Sequence, residues 1–264
     1  MDRHEWPNRF TAKDAAKAPW SCPSCGQPAL TVAPGTVHVE EGRESAAARD
    51  HEFWEPEWVE GRFVCLLRCT CHEVIAVAGR QGLAQGFSGS PDDPDIDYYN
   101  YYEPLVFEPP LRPIHLATAV PSDVREQLEQ SFRLFWCDLD ACSNRIRTSI
   151  EKLLDYHGVK RTVISKNRKR VELKLHARIE LFAKGGEPLS DHLMAVKWLG
   201  NAGSHAAAPV TRDDVFDAYE IIEFVLREMF DQAASRIKRI TKLINKTKKP
   251  RSASQKWRNV KRKK

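Results

Sequence analysis

Two periodicities divide the chain. Arg62-Phe63-Val64-Cys65-Leu66-Leu67-Arg68 and Glu73-Val74-Ile75-Ala76-Val77-Ala78 are short stretches rich in residues that favour strands. They flank Cys69-Thr70-Cys71 as the two arms of a hairpin would. From Ser122 the spacing turns helical. Val124, Leu128, Phe132 and Phe135 fall on one face. Ile146, Ile150, Leu153 and Leu154 line a second helix, which Asp140 can cap and Gly158 ends. A third segment runs from about Leu173 to Phe182, before Gly185-Gly186. Ser190 can cap a fourth, through Leu193, Val196 and Leu199. Thr211 and Asp214 make a capping-box-like pair for a long fifth helix. Its apolar face holds Val215, Tyr219, Ile222, Leu226 and Met229, and the pattern extends toward Lys246.

Two stretches show neither period. Residues 1–20 read as irregular. Residues 83–121 hold glycines and serines (Gly86 to Pro91), then acids (Asp92, Asp93, Asp95, Asp97), then tyrosines (Tyr98, Tyr99, Tyr101, Tyr102), then Pro104, Pro109, Pro110 and Pro113. Prolines at this density exclude a long helix. The aromatics argue for an ordered strap across a surface. The expected organisation is a module over 1–82, a strap or linker over 83–121, a helical bundle over 122–246 and a disordered tail over 247–264.

The 264 residues suit one large domain or two small ones, and 42% hydrophobic residues is ordinary for a globular chain. No apolar run approaches the ~20 residues of a membrane span, and Met1 to Phe10 lacks a signal-peptide core. The expected compartment is the cytoplasm. Net charge is +5, yet Arg236 to Lys264 contains 14 Lys and Arg with no Asp or Glu. Removing those charges leaves the preceding residues at −9. An acidic body with a basic tail suggests a tail that meets phosphate or shields its own body.

There are seven cysteines. In a reducing compartment, close cysteine pairs are more often metal ligands than disulfides. Cys22-Pro23-Ser24-Cys25-Gly26 is a C-x-x-C-G knuckle that aims two thiolates at one point. Cys69 and Cys71 are the natural second pair, giving four soft ligands for a structural Zn2+. This pattern resembles a zinc ribbon. It departs in two ways: the second knuckle is C-x-C, and the gap between the pairs exceeds the ~15–20 residues of compact ribbons. His72 could replace Cys71, and Cys65 is a fallback ligand better suited to the core. A closed four-sulfur site leaves no catalytic position, and the acids of the module (Glu40, Glu41, Glu44, Glu52, Glu55, Glu57, Glu60) favour a staple over a phosphate-binding ribbon.

The most distinctive stretch is Lys197-Trp198-Leu199-Gly200-Asn201-Ala202-Gly203-Ser204-His205. Its glycines predict that the chain leaves the helix at Gly200, or that another backbone approaches closely there. Asn201 and His205, four apart, could converge. With Arg147-Thr148-Ser149-Ile150-Glu151 in an earlier helix, Gly200-Asn201-x-x-x-His205 resembles a domain of unknown function attached to restriction and other phage-defence proteins. That domain is placed near the HEPN superfamily of helical nucleotide- and RNA-binding domains. The resemblance implies an HEPN-like bundle that dimerises, with Asn201 and His205 as candidate catalytic residues of metal-independent RNA cleavage. The arginine of the R-N-x-x-x-H motif does not carry over, because position 200 is Gly and positions 198 and 199 are Trp and Leu. Arg147 or Arg178 could supply the charge from a neighbouring helix. In the plainer alternative, Asn201 and His205 tie helix ends together, and Arg147 with Glu151 is an i, i+4 ion pair.

Ile237, Ile240, Leu243 and Ile244 recur at helical spacing until Pro250. Beyond that, the composition predicts disorder. Lys248, Lys249, Arg251, Lys256, Trp257, Arg258, Lys261 and Arg262 form the candidate contact with RNA or DNA, with Trp257 able to stack on a base. The fold class is therefore α+β, a small zinc-ribbon-like β module plus a helical bundle. The expected function is a non-catalytic nucleic-acid-associated module, with a ribonuclease using His205 and a dimerising scaffold as alternatives.

Overall fold

The computed structural model describes residues 3, 6–11, 18–90, 93–186, 188–205, 209–230 and 232–248, with the backbone alone at 88–90, 93–95, 201–205, 232–236 and 238. Strand β4 (Glu60–Cys69) alternates strictly, with Phe63, Cys65, Leu67 and Cys69 turned inward. That alternation fixes its face and therefore its register. It pairs antiparallel with β5 (Val74–Ser90), from Arg68↔Val74 to Glu60↔Gly82. β5 in turn pairs with β6 (Asp93–Glu108) from Ala76↔Glu108 to Ser90↔Asp93. β1 (Phe10–Thr11) adds to the outer edge of β6. β2 (Leu30–Val32) and β3 (His38–Glu41) lie one after the other along the free edge of β4. A short helix, α1 (Arg43–Ala48), links β3 toward β4.

Two sequence expectations change here. Residues 83–90 and 93–108 are not a strap but the long arms of the β5–β6 hairpin, so the expected boundary at 82 falls inside a strand. Glycine is depleted from strands, which is why this stretch reads as a linker. In the hairpin the glycines make room for tyrosines on the facing strand. A Cβ on Gly82 would lie 2.5 Å from the Tyr101 hydroxyl, and one on Gly86 would lie 3.3 Å from the Tyr99 ring. Residues 1–20 are likewise not idle: Trp6, Phe10, Ala18 and Trp20 are buried.

The second half is helical, with α2 (Ser122–Leu134), α3 (Leu139–Tyr156), α4 (Leu175–Lys184), α5 (Ser190–His205), α6 (Arg212–Phe230) and α7 (Gln232–Thr247). The apolar residues picked by periodicity on α2, α3 and α6 are fully buried, apart from Met229 near the end of α6, which is only partly so. The cap of α3 is Asp138, not Asp140: its carboxylate accepts from the Ala141 N–H at 2.8 Å. Asp140 instead places a negative charge in the first turn. Thr211 and Asp214 form the reciprocal capping box, Thr211 N–H to Asp214 Oδ2 at 2.9 Å and Asp214 N–H to Thr211 Oγ1 at 3.2 Å. The long fifth helix is instead two, α6 ending at Phe230 and α7 beginning at Gln232. A small hairpin, β7 (Thr162–Ile164) and β8 (Arg170–Glu172), sits between α3 and α4.

The chain does not leave the helix at Gly200. α5 continues to His205. The alternative expectation holds: a Cβ at Gly200 would lie 3.3 Å from both Arg147 Cβ and the Ser143 carbonyl oxygen. Gly200 thus lets α5 cross α3 at close range.

Sheet and helices share one hydrophobic core. Trp20, fully buried, meets Phe107 of β6 at 5.0 Å and Trp136 after α2 at 5.5 Å between ring centroids. Phe107 and Trp136 are 4.7 Å apart, and Trp6 reaches Trp136 at 6.3 Å and Phe135 at 6.4 Å. The Arg212 guanidinium covers this cluster, 4.4 Å from the Phe135 centroid and 4.8 Å from that of Trp136, and donates to the Trp6 carbonyl at 3.2 Å. Burial lowers its pKa. The stacked rings stabilise the buried cation through their π faces. Deeper in the bundle, the Tyr219 hydroxyl meets Ser131 Oγ at 2.9 Å and Cys142 Sγ at 3.2 Å, so the buried phenol has partners.

Removing the ring that touches both halves should be felt throughout. Trp136→Ala is expected to cost about 3–5 kcal/mol in urea denaturation. Far-UV signals from strands and helices should still fall in one transition, whereas two separated transitions in the parent chain would contradict a shared core.

Candidate functional site

The first site grows from the β4–β5 turn. Cys69 ends β4, and its N–H donates to the Glu73 carbonyl at 3.0 Å. His72 closes the turn at φ 71°. This backbone carries Cys69 and Cys71 to one end of the sheet. The other knuckle arrives because β2 pairs with β4, with Leu30 opposite Cys69. In the C-x-x-C-G turn the Gly26 N–H donates to the Cys22 carbonyl at 2.8 Å, and Gly26 has φ +72°, which glycine adopts without strain. β3 and α1 fill the long gap between the cysteine pairs, and the β2–β4 pairing closes it.

The four sulfurs of Cys22, Cys25, Cys69 and Cys71 lie within 4.8 Å of one another. Cys22–Cys71 is 3.7 Å and Cys25–Cys69 is 3.6 Å. Tetrahedral metal–sulfur bonds of about 2.3 Å require sulfurs about 3.8 Å apart, so the set fits a tetrahedral ion. Among the described residues this is the one such cluster. Neither fallback ligand joins it. Cys65 is buried in the core, where burial pushes its thiol up to about 11. His72 is placed by the turn but is not in the cluster. Hydrogen bonding from the Cys71 backbone N–H draws Cys69 down to about 7, whereas burial pushes Cys22 up to about 12. Cys69 is thus the first of these two thiols to ionise.

The second feature is cationic. Residues 160–170 hold Lys160, Arg161, Lys166, Arg168, Lys169 and Arg170 with no Asp or Glu. They lead into hairpin β7–β8 and make up its turn, while β8 itself ends on Glu172; in the turn the Ser165 N–H donates to the Lys169 carbonyl at 2.8 Å and Arg168 has φ 58°. Ile164 is 77% exposed at its tip. Sequence reading passed over this hairpin, although the charge run itself was visible there.

Beside the hairpin, α3, α4 and α5 enclose a cleft of about 930 Å³. Six Lys or Arg side chains line it against three carboxylates. Asp155 is already neutralised, accepting from Arg178 at 2.6 Å and from Arg161 Nε at 2.7 Å, and these arginines hold its pKa down. Arg178 therefore serves Asp155 and the Val159 carbonyl. Arg147 forms the expected i, i+4 ion pair with Glu151, at 4.0 Å, and its Nε is buried without a hydrogen-bond partner among the described residues.

Asn201 and His205 lie on the last turns of α5, where the backbone alone is described, so their side-chain geometry lies outside the described residues. Lys197 precedes them by four and eight positions on the same helix, a spacing that keeps residues near one face. Of the tail residues, Lys248 follows α7; Lys249, Arg251, Lys256, Trp257, Arg258, Lys261 and Arg262 lie outside the described residues. No described helix is long and apolar enough to cross a membrane.

Residues 9–107 match a family model described as Domain of unknown function (DUF8608), and residues 129–251 match one described as Domain of unknown function (DUF4145). The first match takes in both knuckles and ends one residue before the end of β6; the second begins within α2 and extends past α7. No curated protein and no solved structure matches.

Metal analysis of gently purified protein should give about one ion per chain. Cys71→Ser should lose it and melt at a lower temperature, while His72→Asn, which tolerates the same backbone turn, should retain it. The ion should leave as pH falls, because each coordinating thiolate must take up a proton to release it; retention after Cys71→Ser would exclude this ligand set.

Proposed function

We propose that the chain is a non-catalytic nucleic-acid-binding module that grips the phosphate backbone through hairpin β7–β8, helped by α7 and the basic residues that follow. The observation carrying this reading is the hairpin: Lys166, Arg168, Lys169 and Arg170 against the single acid Glu172, on a ribbon that also exposes Ile164, Val163 and Val171. Cations at this density release counterions from a polyanion, and a two-stranded ribbon with apolar side chains is a shape that fits a groove. α7 supports it with Arg239, Lys242 and Lys246 at exposed or partly exposed positions. The metal is then Zn2+, held by four thiolates as a closed staple that sets the knuckles against the sheet and takes no part in binding. The resemblance to HEPN-like domains of defence-associated proteins points to the same class of ligand.

Binding of a fluorescent RNA or DNA oligonucleotide should weaken linearly with salt on logarithmic axes. Changing Lys166, Arg168 and Lys169 together to Ala should flatten that slope by about one unit per cation lost, uniformly across sequences. Deleting residues 248–264 should flatten it separately. A slope unchanged by the hairpin variant would remove the hairpin from the interface.

A second reading has its own observation. The cation missing from the Asn201–His205 motif has replacements nearby: Lys197 on the same helix, and Arg147, whose Cβ abuts Gly200. Under this reading the protein cleaves RNA in EDTA, and His205→Ala abolishes the cleavage while leaving oligonucleotide affinity in place.

A further inference from the structure

α7 carries an apolar row that no described residue fully covers. Ile237, Ile240 and Ile244, three and four positions apart, fall on one side of the helix, with Leu243 at the border of that side. Ile237 is 62% exposed and Ile244 is exposed as well; Ile240 and Leu243 are only partly covered. Among the described residues, none of α7 joins the core shared by sheet and bundle, whereas Met229 and Phe230 at the end of α6 pack against it. Single exposed aliphatic side chains are ordinary. A row of them along one face marks a surface that another body buries.

The charges of the helix say which body. α7 contains Arg236, Lys238, Arg239, Lys242 and Lys246 and no Asp or Glu. Arg239, Lys242 and Lys246 lie on the side away from the isoleucines and are exposed. A second copy of α7 is a poor occupant, because pairing would bring cations together with no acid to relieve them. Nucleic-acid phosphate satisfies the cations but leaves the isoleucines in water. The surface of an anionic bilayer meets both demands, since its acyl boundary takes the apolar row and its headgroups attract the cations. α7 has 16 residues and, like every described helix, is not long and apolar enough to cross a membrane. A basic amphipathic helix of this kind lies in the plane of the surface.

The fold presents this helix rather than shielding it. Phe230, the last residue of α6, meets the exposed Tyr156 ring at 5.6 Å and the His157 ring at 6.4 Å, at the end of α3. From there the chain runs within a few residues into hairpin β7–β8. α7 and the hairpin thus leave the bundle from the same end. We propose that α7 binds the surface of a bilayer that contains anionic lipid. Ile237, Ile240 and Ile244 enter the acyl boundary, and Arg239, Lys242 and Lys246 lie at the level of the charged headgroups. The claim goes beyond nucleic-acid binding and does not rest on it, because it draws on an apolar row that contact with a phosphate backbone leaves unused.

Co-sedimentation of the full chain with lipid vesicles tests it directly. Vesicles of phosphatidylserine and phosphatidylcholine, one part to two, should bind at least about ten-fold more tightly than phosphatidylcholine alone. Ile237→Gln combined with Ile244→Gln should weaken binding to the mixed vesicles at least about ten-fold. Ile237→Leu combined with Ile244→Leu should bind them as the parent does. Glutamine forms helix at least as well as isoleucine, and both positions are exposed, so the apolar-row variant should melt with the parent. Lost binding is thereby separable from lost folding. Changing Arg239, Lys242 and Lys246 together to Gln should remove the preference for the anionic vesicles. The apolar-row variant should keep the parent's affinity for an oligonucleotide and its mass by light scattering. Four results would overturn the proposal. The mixed vesicles fail to bind the parent. The apolar-row variant binds them as tightly as the parent, which makes the contact adsorption by charge alone. The same variant loses oligonucleotide affinity, which assigns the row to nucleic acid. It turns a dimer into a monomer, which assigns the row to a second copy of the chain.

Discussion

The contact between Trp20, Phe107 and Trp136 is the one on which the architecture depends. Phe107 lies next to the end of the long β6 strand, Trp136 follows α2, and Trp20 comes from the N-terminal segment, so three distant parts of the chain meet at one aromatic junction. Each ring buries a large apolar area, and the edge-to-face geometry adds to that. The junction joins a sheet to a bundle that would otherwise pack separately. Arg212 seals it from the α6 side, holding the Trp6 carbonyl and lying across Phe135 and Trp136. Its charge is tolerated because the ring faces and a carbonyl replace some of the hydration it loses.

Both candidate sites hang from this frame at opposite kinds of edge. The cysteine centre sits where β4 turns into β5, and its two halves meet only because β2 pairs beside β4. The sheet thus determines which sulfurs converge. Cys65 stays on the buried face of β4 as core, and the turn that positions His72 keeps it out of the cluster. The cationic features arise from the other half, where the β7–β8 hairpin interrupts the helices and Gly200 lets α5 close on α3. That close approach sets Arg147 of α3 against Gly200 of α5.

Strong periodicity was legible, and so was strong chemistry. The inward faces of α2, α3 and α6 followed from spacing alone, because burial demands apolar side chains every three or four residues. Thr211 and Asp214 were readable as a cap, since a helix start needs side-chain acceptors at fixed positions. The four clustered cysteines were readable from the knuckle and its partner. The long hairpin was not, because Gly82 and Gly86 look like linker residues until tyrosines are placed across from them. Asp138 was overlooked as a cap because Asp140 also suits a first turn. The small basic hairpin was overshadowed by the more basic tail.

Local pattern, then, determined what each segment could become: which stretches coil into helices, which alternate as strands, which thiols and cations are present. It did so because hydrogen-bond geometry and burial act within a few residues along the chain. Only the tertiary structure decided which of these meet. The convergence of Cys22 with Cys71, the junction of Trp20 with Trp136, and the approach of Gly200 to Arg147 depend on strand pairing and helix crossing. Contacts between segments far apart in sequence leave no periodic trace in it.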